Sequence, residues 1–124
     1  MTNLTFQQKI AILRILLDII NADGRIDARE TFYYNKVSKL LGITESERVV
    51  VNEANSLLCV VEIKNFSDEQ KKELAKLMGQ LIVVDEDINV NEMAIYELVC
   101  TTCGIKVDFE DVVTQEQIEQ STRS

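Results

Sequence analysis

Apolar residues recur at intervals of three and four along most of the chain, the spacing that places side chains on one face of an α-helix. The stripe that follows Thr5 is wide enough to predict a helix buried on most of its sides. No segment alternates between apolar and polar residues for more than a few positions, which argues against β-strands. The pattern therefore predicts a compact all-α domain of about six or seven helices.

Polar residues with the spacing of an N-terminal capping box predict where the helices begin. Five such pairs occur: Thr5–Gln8, Asp27–Glu30, Thr44–Glu47, Ser67–Gln70 and Asn89–Glu92. The third helix is expected to begin at Glu45 and to be interrupted near residues 52–55. Gly42 and Gly104 can adopt the left-handed conformation with which helices commonly end.

The chain has the length and composition of one globular domain. It contains 124 residues, of which 46% are hydrophobic and 27% charged, and it lacks proline, the residue that breaks helix interiors. We predict a single domain over residues 1–119. Its last helix is expected to run from Phe109 to about Glu119, with a frayed tail at residues 120–124.

The domain contains an imperfect internal repeat. When residue 23 is aligned with residue 85, an offset of 62, residues 23–43 and 85–105 share seven identities in 21 positions without a gap. Repeat one covers about residues 5–43 and repeat two about residues 67–105. Each repeat is predicted to form a long helix, an acidic turn and a second helix. Two such helical hairpins, related by a pseudo-two-fold axis, would bring their acidic turns near one another.

The two acidic turns carry the candidate ligands for a divalent cation. We call residues 23–30 the first acidic turn and residues 85–92 the second. Hard cations such as calcium, magnesium or manganese prefer clustered oxygen ligands, and the candidates are Asp23, Asp27, Glu30, Asp85, Asp87, Asn89 and Glu92. Helix capping alone explains the spacing of the two capping pairs in these turns. Asp23 and Asp85 have no capping role, so they are the strongest candidates.

An ordinary EF-hand is excluded although each turn matches the second half of its calcium loop. The first two ligand positions would fall on Ile19 and Asn21 in the first turn, and on Leu81 and Val83 in the second. Calcium takes about six to eight oxygen ligands, and the first two carboxylates are missing. Only half of the EF-hand ligand set is present.

The sequences of the two turns carry a family likeness. Residues 21–30 (NADGRIDARE) and 84–92 (VDEDINVNE) resemble the paired A-D-G-x-I-x-x-x-E signatures of the TerB-like, or tellurite-resistance, family. The same signature occurs in the N-terminal region of DjlA-type co-chaperones. The resemblance covers residues 6–109. It implies a duplicated all-helical fold, an acidic patch proposed to bind divalent metal, and roles in stress or tellurite resistance. Glu86 stands where the family usually has glycine, which leaves the geometry of the second turn open.

The charge balance restricts the class of partner. Thirteen basic and 21 acidic residues give a net charge of -8, which repels nucleic acid and anionic lipid and favours cations or basic proteins. The charge-free run at residues 77–84 is far shorter than the roughly 20 residues of a membrane span. We see no signal peptide, and three cysteines do not form a disulfide framework. We therefore expect a cytoplasmic protein with a protein partner, no nucleic acid and no membrane insertion.

The residues that most enzymes use are scarce in this chain. It has no histidine, the usual member of acid–base and nucleophile–base schemes. Cys100 and Cys103 form a C-x-x-C motif at a helix end rather than at a helix start, which favours buried structural thiols over redox chemistry. We therefore expect a non-enzymatic TerB-like domain that binds a divalent cation. The alternatives are a metal-free, co-chaperone-like interaction scaffold and a metal-dependent hydrolase.

Overall fold

The structure, a computed structural model, describes residues 3–84 and 86–112. This part of the chain is helical without β-strands, as the sequence predicts. Its helices are α1 (Phe6–Ile20), α2 (Ala28–Leu40), α3 (Arg48–Glu53), α4 (Ser56–Lys64), α5 (Asp68–Val83) and α6 (Val90–Cys103). Residues 109–112 are also helical, as predicted, and the expectations for residues 113–124 lie outside the described part.

The long helices α1 and α5 begin with the predicted capping boxes. Thr5 Oγ1 accepts a hydrogen bond from Gln8 N at 3.1 Å, and Gln8 Oε1 accepts one from Thr5 N at 2.9 Å. Ser67 and Gln70 form the same pair of bonds at the same two distances. Each box satisfies backbone N–H groups that a helix start otherwise leaves without partners.

The segment between the repeats forms two short helices. Thr44 and Glu47 make the predicted reciprocal cap, with Thr44 N donating to Glu47 Oε1 at 2.9 Å. The cap closes a turn, so α3 begins at Arg48 and not at Glu45 as expected. The interruption expected near residues 52–55 is confirmed, because α3 ends at Glu53 and α4 begins at Ser56.

Arg14 of α1 fixes this interruption in place. Its Nη1 donates to the carbonyl oxygens of Val51 and Asn52 at 3.3 and 2.9 Å, groups that a helix end leaves exposed. Its Nε donates to Ser56 Oγ at 3.2 Å, and Ser56 Oγ donates to Asp18 Oδ2 at 2.7 Å. Arg14 also forms an ion pair with Asp18 at 3.1 Å. The start of α4 is thereby held against α1.

Helix α1 is the centre of the core, which confirms the prediction that it is buried on most sides. It packs against each of the other five helices. Its buried residues are Ile10, Ala11, Ile12, Leu13, Ile15, Leu16, Ile19 and Ile20. None of the helices within residues 3–84 and 86–112 combines the length and apolar composition needed to cross a membrane.

The two repeats fold alike. At the offset of 62 residues, α1 corresponds to α5 and α2 to α6. Gln70 Nε2 donates to Gln8 Oε1 at 3.3 Å, so equivalent residues of the two repeats touch. Gly42 and Gly104 end the second helices with φ angles of 72° and 69°. The starts of the two hairpins, at Gln8 and Gln70, therefore lie side by side.

Candidate functional site

The two acidic turns lie against one another at one end of the hairpins. Asn89 Nδ2 of the second turn donates to Asp23 Oδ2 of the first at 3.4 Å. A cavity of about 280 Å³ lies between the turns. It is lined by Asp23, Arg25, Ile26, Asp27, Arg29, Glu30, Asp87 and Asn89. The structure therefore brings together five of the seven residues that the sequence nominates.

The first acidic turn is held by its own carboxylates. Asp23 Oδ1 accepts a hydrogen bond from Arg25 N at 2.9 Å, closing a tight bend in which Gly24 has a φ of 74°. Asp27 is the N-cap of α2, as predicted, and its Oδ1 accepts from Arg29 N at 2.8 Å. The second oxygen of Asp23 faces the other repeat.

The described part of the second acidic turn, residues 86–92, matches the first turn at its N-cap and at its left-handed residue. Asn89 is the N-cap of α6, and its Oδ1 accepts from Asn91 N and Glu92 N at 2.8 and 3.1 Å. Glu86 has a φ of 65°, the left-handed conformation that Gly24 adopts in the first turn. Glutamate therefore keeps the left-handed conformation at this position, at a conformational cost of roughly 1–2 kcal/mol.

Glu30 and Glu92, equivalent in the two repeats, are buried beneath the turns. Their exposed fractions are 2% and 1%, and both have interaction partners within the protein. Burial of a carboxylate is costly unless it is compensated. Their predicted roles, as capping partners and candidate cation ligands, did not reveal this burial. The available signal was that each precedes a repeated tyrosine, Tyr34 or Tyr96, by four positions and so shares its buried helix face.

Positive charge also reaches the cavity. Arg29 donates to the Asp27 carboxylate through Nε and Nη2, each at 3.3 Å. These side-chain bonds, with the bond from the Arg29 backbone, lower the pKa of Asp27 below its usual value. Arg25 lines the same cavity. A cation that enters must therefore compete with the Arg29 guanidinium for the Asp27 carboxylate, in a cavity that Arg25 also lines.

The cavity is not a preformed cation cage. Within residues 3–84 and 86–112, no group of three or more acidic or cysteine side chains is placed to hold a metal ion. Asp85, a candidate ligand, lies outside the described residues. Glu92 is buried but does not line the cavity. Side chains of both repeats border one small polar space, with carboxylates contributed by Asp23, Asp27 and Glu30 of the first turn and Asp87 of the second.

Of the two cysteines in the C-x-x-C motif, Cys103 is buried, as the sequence predicts, and Cys100 is half-buried. The chain's three cysteines are all free thiols, and Cys59 is also buried. Cys103 Sγ donates to Val60 O at 3.6 Å. Burial raises the pKa of the Cys59, Cys100 and Cys103 thiols above their usual value. The protonated thiol is a weaker nucleophile and metal ligand than the thiolate, so the raised pKa disfavours reaction at these residues.

Comparison with known proteins identifies the fold alone. The sequence matches no protein-family model, and no curated protein matches it. A crystal structure of a protein of unknown function, PG1108 from Porphyromonas gingivalis W83, is similar, with a TM-score of 0.74 and 22% identity. The match covers 93% of this chain and 98% of that one. The fold described here is therefore shared by that protein over nearly its full length.

Proposed function

We propose that this chain is a non-enzymatic, TerB-like domain that binds a divalent cation weakly between its two acidic turns. The observation that carries the proposal is the contact between the turns, in which Asn89 reaches Asp23 and Asp87 lines the same cavity. Hard cations recognise carboxylate and amide oxygens from several segments. The resemblance of both turns to the TerB signature supports the same reading, together with a role in stress or tellurite resistance.

Weak binding follows from the bonds that the ligands already make. One oxygen of Asp23 and the Oδ1 of Asn89 hold the backbone of their turns. An ion would replace the long bond between Asn89 Nδ2 and Asp23 Oδ2, and it would compete with the Arg29 guanidinium. Calcium sites of low ligand charge bind at about 10⁻⁴–10⁻³ M. We expect dissociation constants in this range.

Thermal unfolding in the presence of calcium or manganese tests the proposal. An ion that binds only the folded state raises the melting temperature by mass action. We expect a rise at millimolar ion that Asp23→Asn with Asp87→Asn abolishes. Glu53→Gln with Glu62→Gln, which removes the same charge from α3 and α4, is the matched control and should keep the rise. No rise in the unmodified protein, or a rise that survives in the Asp23/Asp87 variant, would overturn the proposal.

A second candidate is a metal-free scaffold that binds a protein partner. It is favoured by the apolar side chains of Leu57, Leu58 and Val61, which α4 exposes. The three free thiols support a reducing compartment, so we place either function in the cytoplasm.

A further inference from the structure

Helix α4 is apolar on both of its faces. Its inner face packs Cys59 and Ile63 against α1 and α6. Its outer face exposes Leu57, Leu58 and Val61, whose exposed fractions are 77%, 68% and 54%. A helix that is apolar all round is normally buried. Single exposed leucines are ordinary, but adjacent ones on a short helix mark an interaction site.

The outer face of α4 continues into a groove. It is lined by apolar residues of three helices: Val50 of α3, Leu58 and Val61 of α4, and Ile10 and Ala11 of α1. The groove has a volume of about 550 Å³, which lies within the range of ligand-binding clefts. We call it the α4 groove. An amphipathic helix that lays its apolar face into such a groove is a recurrent mode of recognition.

The α4 groove is formed in advance of any partner. Arg14 ties the end of α3 and the start of α4 to α1 through the carbonyl of Asn52 at 2.9 Å and Ser56 Oγ at 3.2 Å. The walls of the groove therefore have a fixed spacing. Pre-organisation lowers the entropy lost on binding, so a partner need not remodel this surface.

The charge at the rim identifies the class of partner. Glu53 and Glu62 line the α4 groove, and no lysine or arginine is among its lining residues. The whole chain carries a net charge of -8. In a symmetric dimer through this face, the acidic rims would meet their own copies. Like charges at an interface are unfavourable, whereas lysine or arginine beside an apolar stripe would complement the rim.

We propose that the α4 groove binds a basic amphipathic helix of a partner protein. Leucine-like side chains of that helix would fill the space beside Leu58 and Val61. Its basic residues would lie against Glu53 and Glu62. This surface is separate from the cavity between the acidic turns, and it shares no lining residue with that cavity.

The test is a titration of the methyl-labelled protein with a synthetic 18-residue leucine/lysine peptide whose leucines follow helical spacing. Signals of Leu58 and Val61 should shift. A peptide with glutamate in place of every lysine is the charge control and should bind at least tenfold more weakly. If both peptides bind equally, or neither shifts these signals at millimolar concentration, the proposal is wrong.

Variants of the protein locate the binding. Leu58→Ser with Val61→Ser should lower the affinity for the lysine peptide at least tenfold. Leu40→Ser, at an exposed leucine of α2, should change this affinity less than twofold. Glu53→Gln with Glu62→Gln should weaken it severalfold and reduce its salt dependence, whereas Asp23→Asn with Asp87→Asn should not. Equal losses in test and control variants would contradict the proposal. So would a dimer in sedimentation that the Leu58/Val61 variant dissociates, because a second copy would then occupy the groove.

Discussion

The side-chain amide of Asn89 lies 3.4 Å from the Asp23 carboxylate and joins the acidic turns of the two repeats. Asn89 is the equivalent of Asp27, so an aspartate at this position would create a carboxylate facing a carboxylate. The uncharged amide of Asn89 therefore avoids the repulsion between two carboxylates that a bound cation would otherwise have to offset. In the proposed function, a bound cation replaces this hydrogen bond between Asn89 and Asp23.

The first prediction concerns this amide. Asn89→Asp keeps an N-cap residue for α6 but places a negative charge opposite Asp23. We expect a loss of about 1 kcal/mol in the free energy of unfolding in chelator, because a hydrogen bond becomes a like-charge pair. Calcium should restore the loss and should raise the melting temperature further than in the unmodified protein. Asn91→Asp, which adds the same charge at an exposed site, should show neither effect. Urea unfolding and thermal unfolding, each with and without calcium, are the measurements.

The second prediction concerns the left-handed residue of the second turn. Glu86 has a φ of 65°, where glycine has no steric penalty. We expect Glu86→Gly to stabilise the protein by up to about 1 kcal/mol. Glycine removes the backbone strain of the folded state, but part of this gain is lost because glycine also raises the entropy of the unfolded chain. Gly24→Ala in the first turn should destabilise it by a similar amount. Equal and opposite changes in urea midpoints support the conclusion that both turns share one backbone conformation, and a destabilised Glu86→Gly variant would refute it.

The third prediction tests how residues 109–112 pack on α5. A Cβ added at Gly79 would lie 2.8 Å from Val112 Cγ1, closer than side-chain atoms normally approach. Overpacking costs about 1–3 kcal/mol, which over most of that range exceeds the roughly 1 kcal/mol that alanine gains over glycine in a helix. Gly79→Ala should therefore destabilise the protein.

A double-mutant cycle provides the control for this packing contact. In a Val112→Ala background the close atom is absent, so Gly79→Ala should become stabilising. The reversal of sign, measured by chemical denaturation, is the expected outcome. The same sign in both backgrounds would show that Val112 does not pack on Gly79.

The fourth prediction concerns the acid limb of stability. Hydrogen bonds from Arg29 hold the pKa of Asp27 below that of the unfolded chain. The stability that this shift contributes is therefore present above the unfolded pKa and is lost as the pH falls through the folded pKa. Arg29→Ala should raise the folded pKa of Asp27 only partway, because the backbone bonds at 29 and 30 remain. Carboxyl carbon NMR titration measures it, and an unchanged pKa would contradict the assigned cause.

The sequence predicts most of the fold because local rules and tertiary packing agree in the hairpins. Thr5 and Ser67 carry cap side chains, and apolar stripes follow them, so helix position and buried face are both readable. Helix α3 begins at Arg48, later than the predicted Glu45, because the reciprocal bonds of Thr44 and Glu47 can close a turn as well as open a helix. Pattern alone does not distinguish these two outcomes.

The sequence predicts only part of the candidate site, because some of its features depend on how the helices pack. The repeat predicts that the acidic turns meet, and the contact between Asn89 and Asp23 agrees with it. The burial of Glu30 and Glu92 depends on which helix face each hairpin presents to the other. Their capping-box spacing has a sufficient local explanation and gives no sign of this burial. The exposed apolar face of α4 was equally hidden, since a short apolar helix looks the same in sequence whether both faces are covered or only one.

The most direct measurement is paramagnetic line broadening of the amide signals during titration with manganese. We expect the signals of Asp23 and Asn89 to broaden together at the same sub-stoichiometric manganese concentration. Asp23→Asn should remove the broadening of both. Broadening confined to one turn, or spread evenly over acidic residues elsewhere on the surface such as Glu53 and Glu69, would contradict a shared cation site between the repeats.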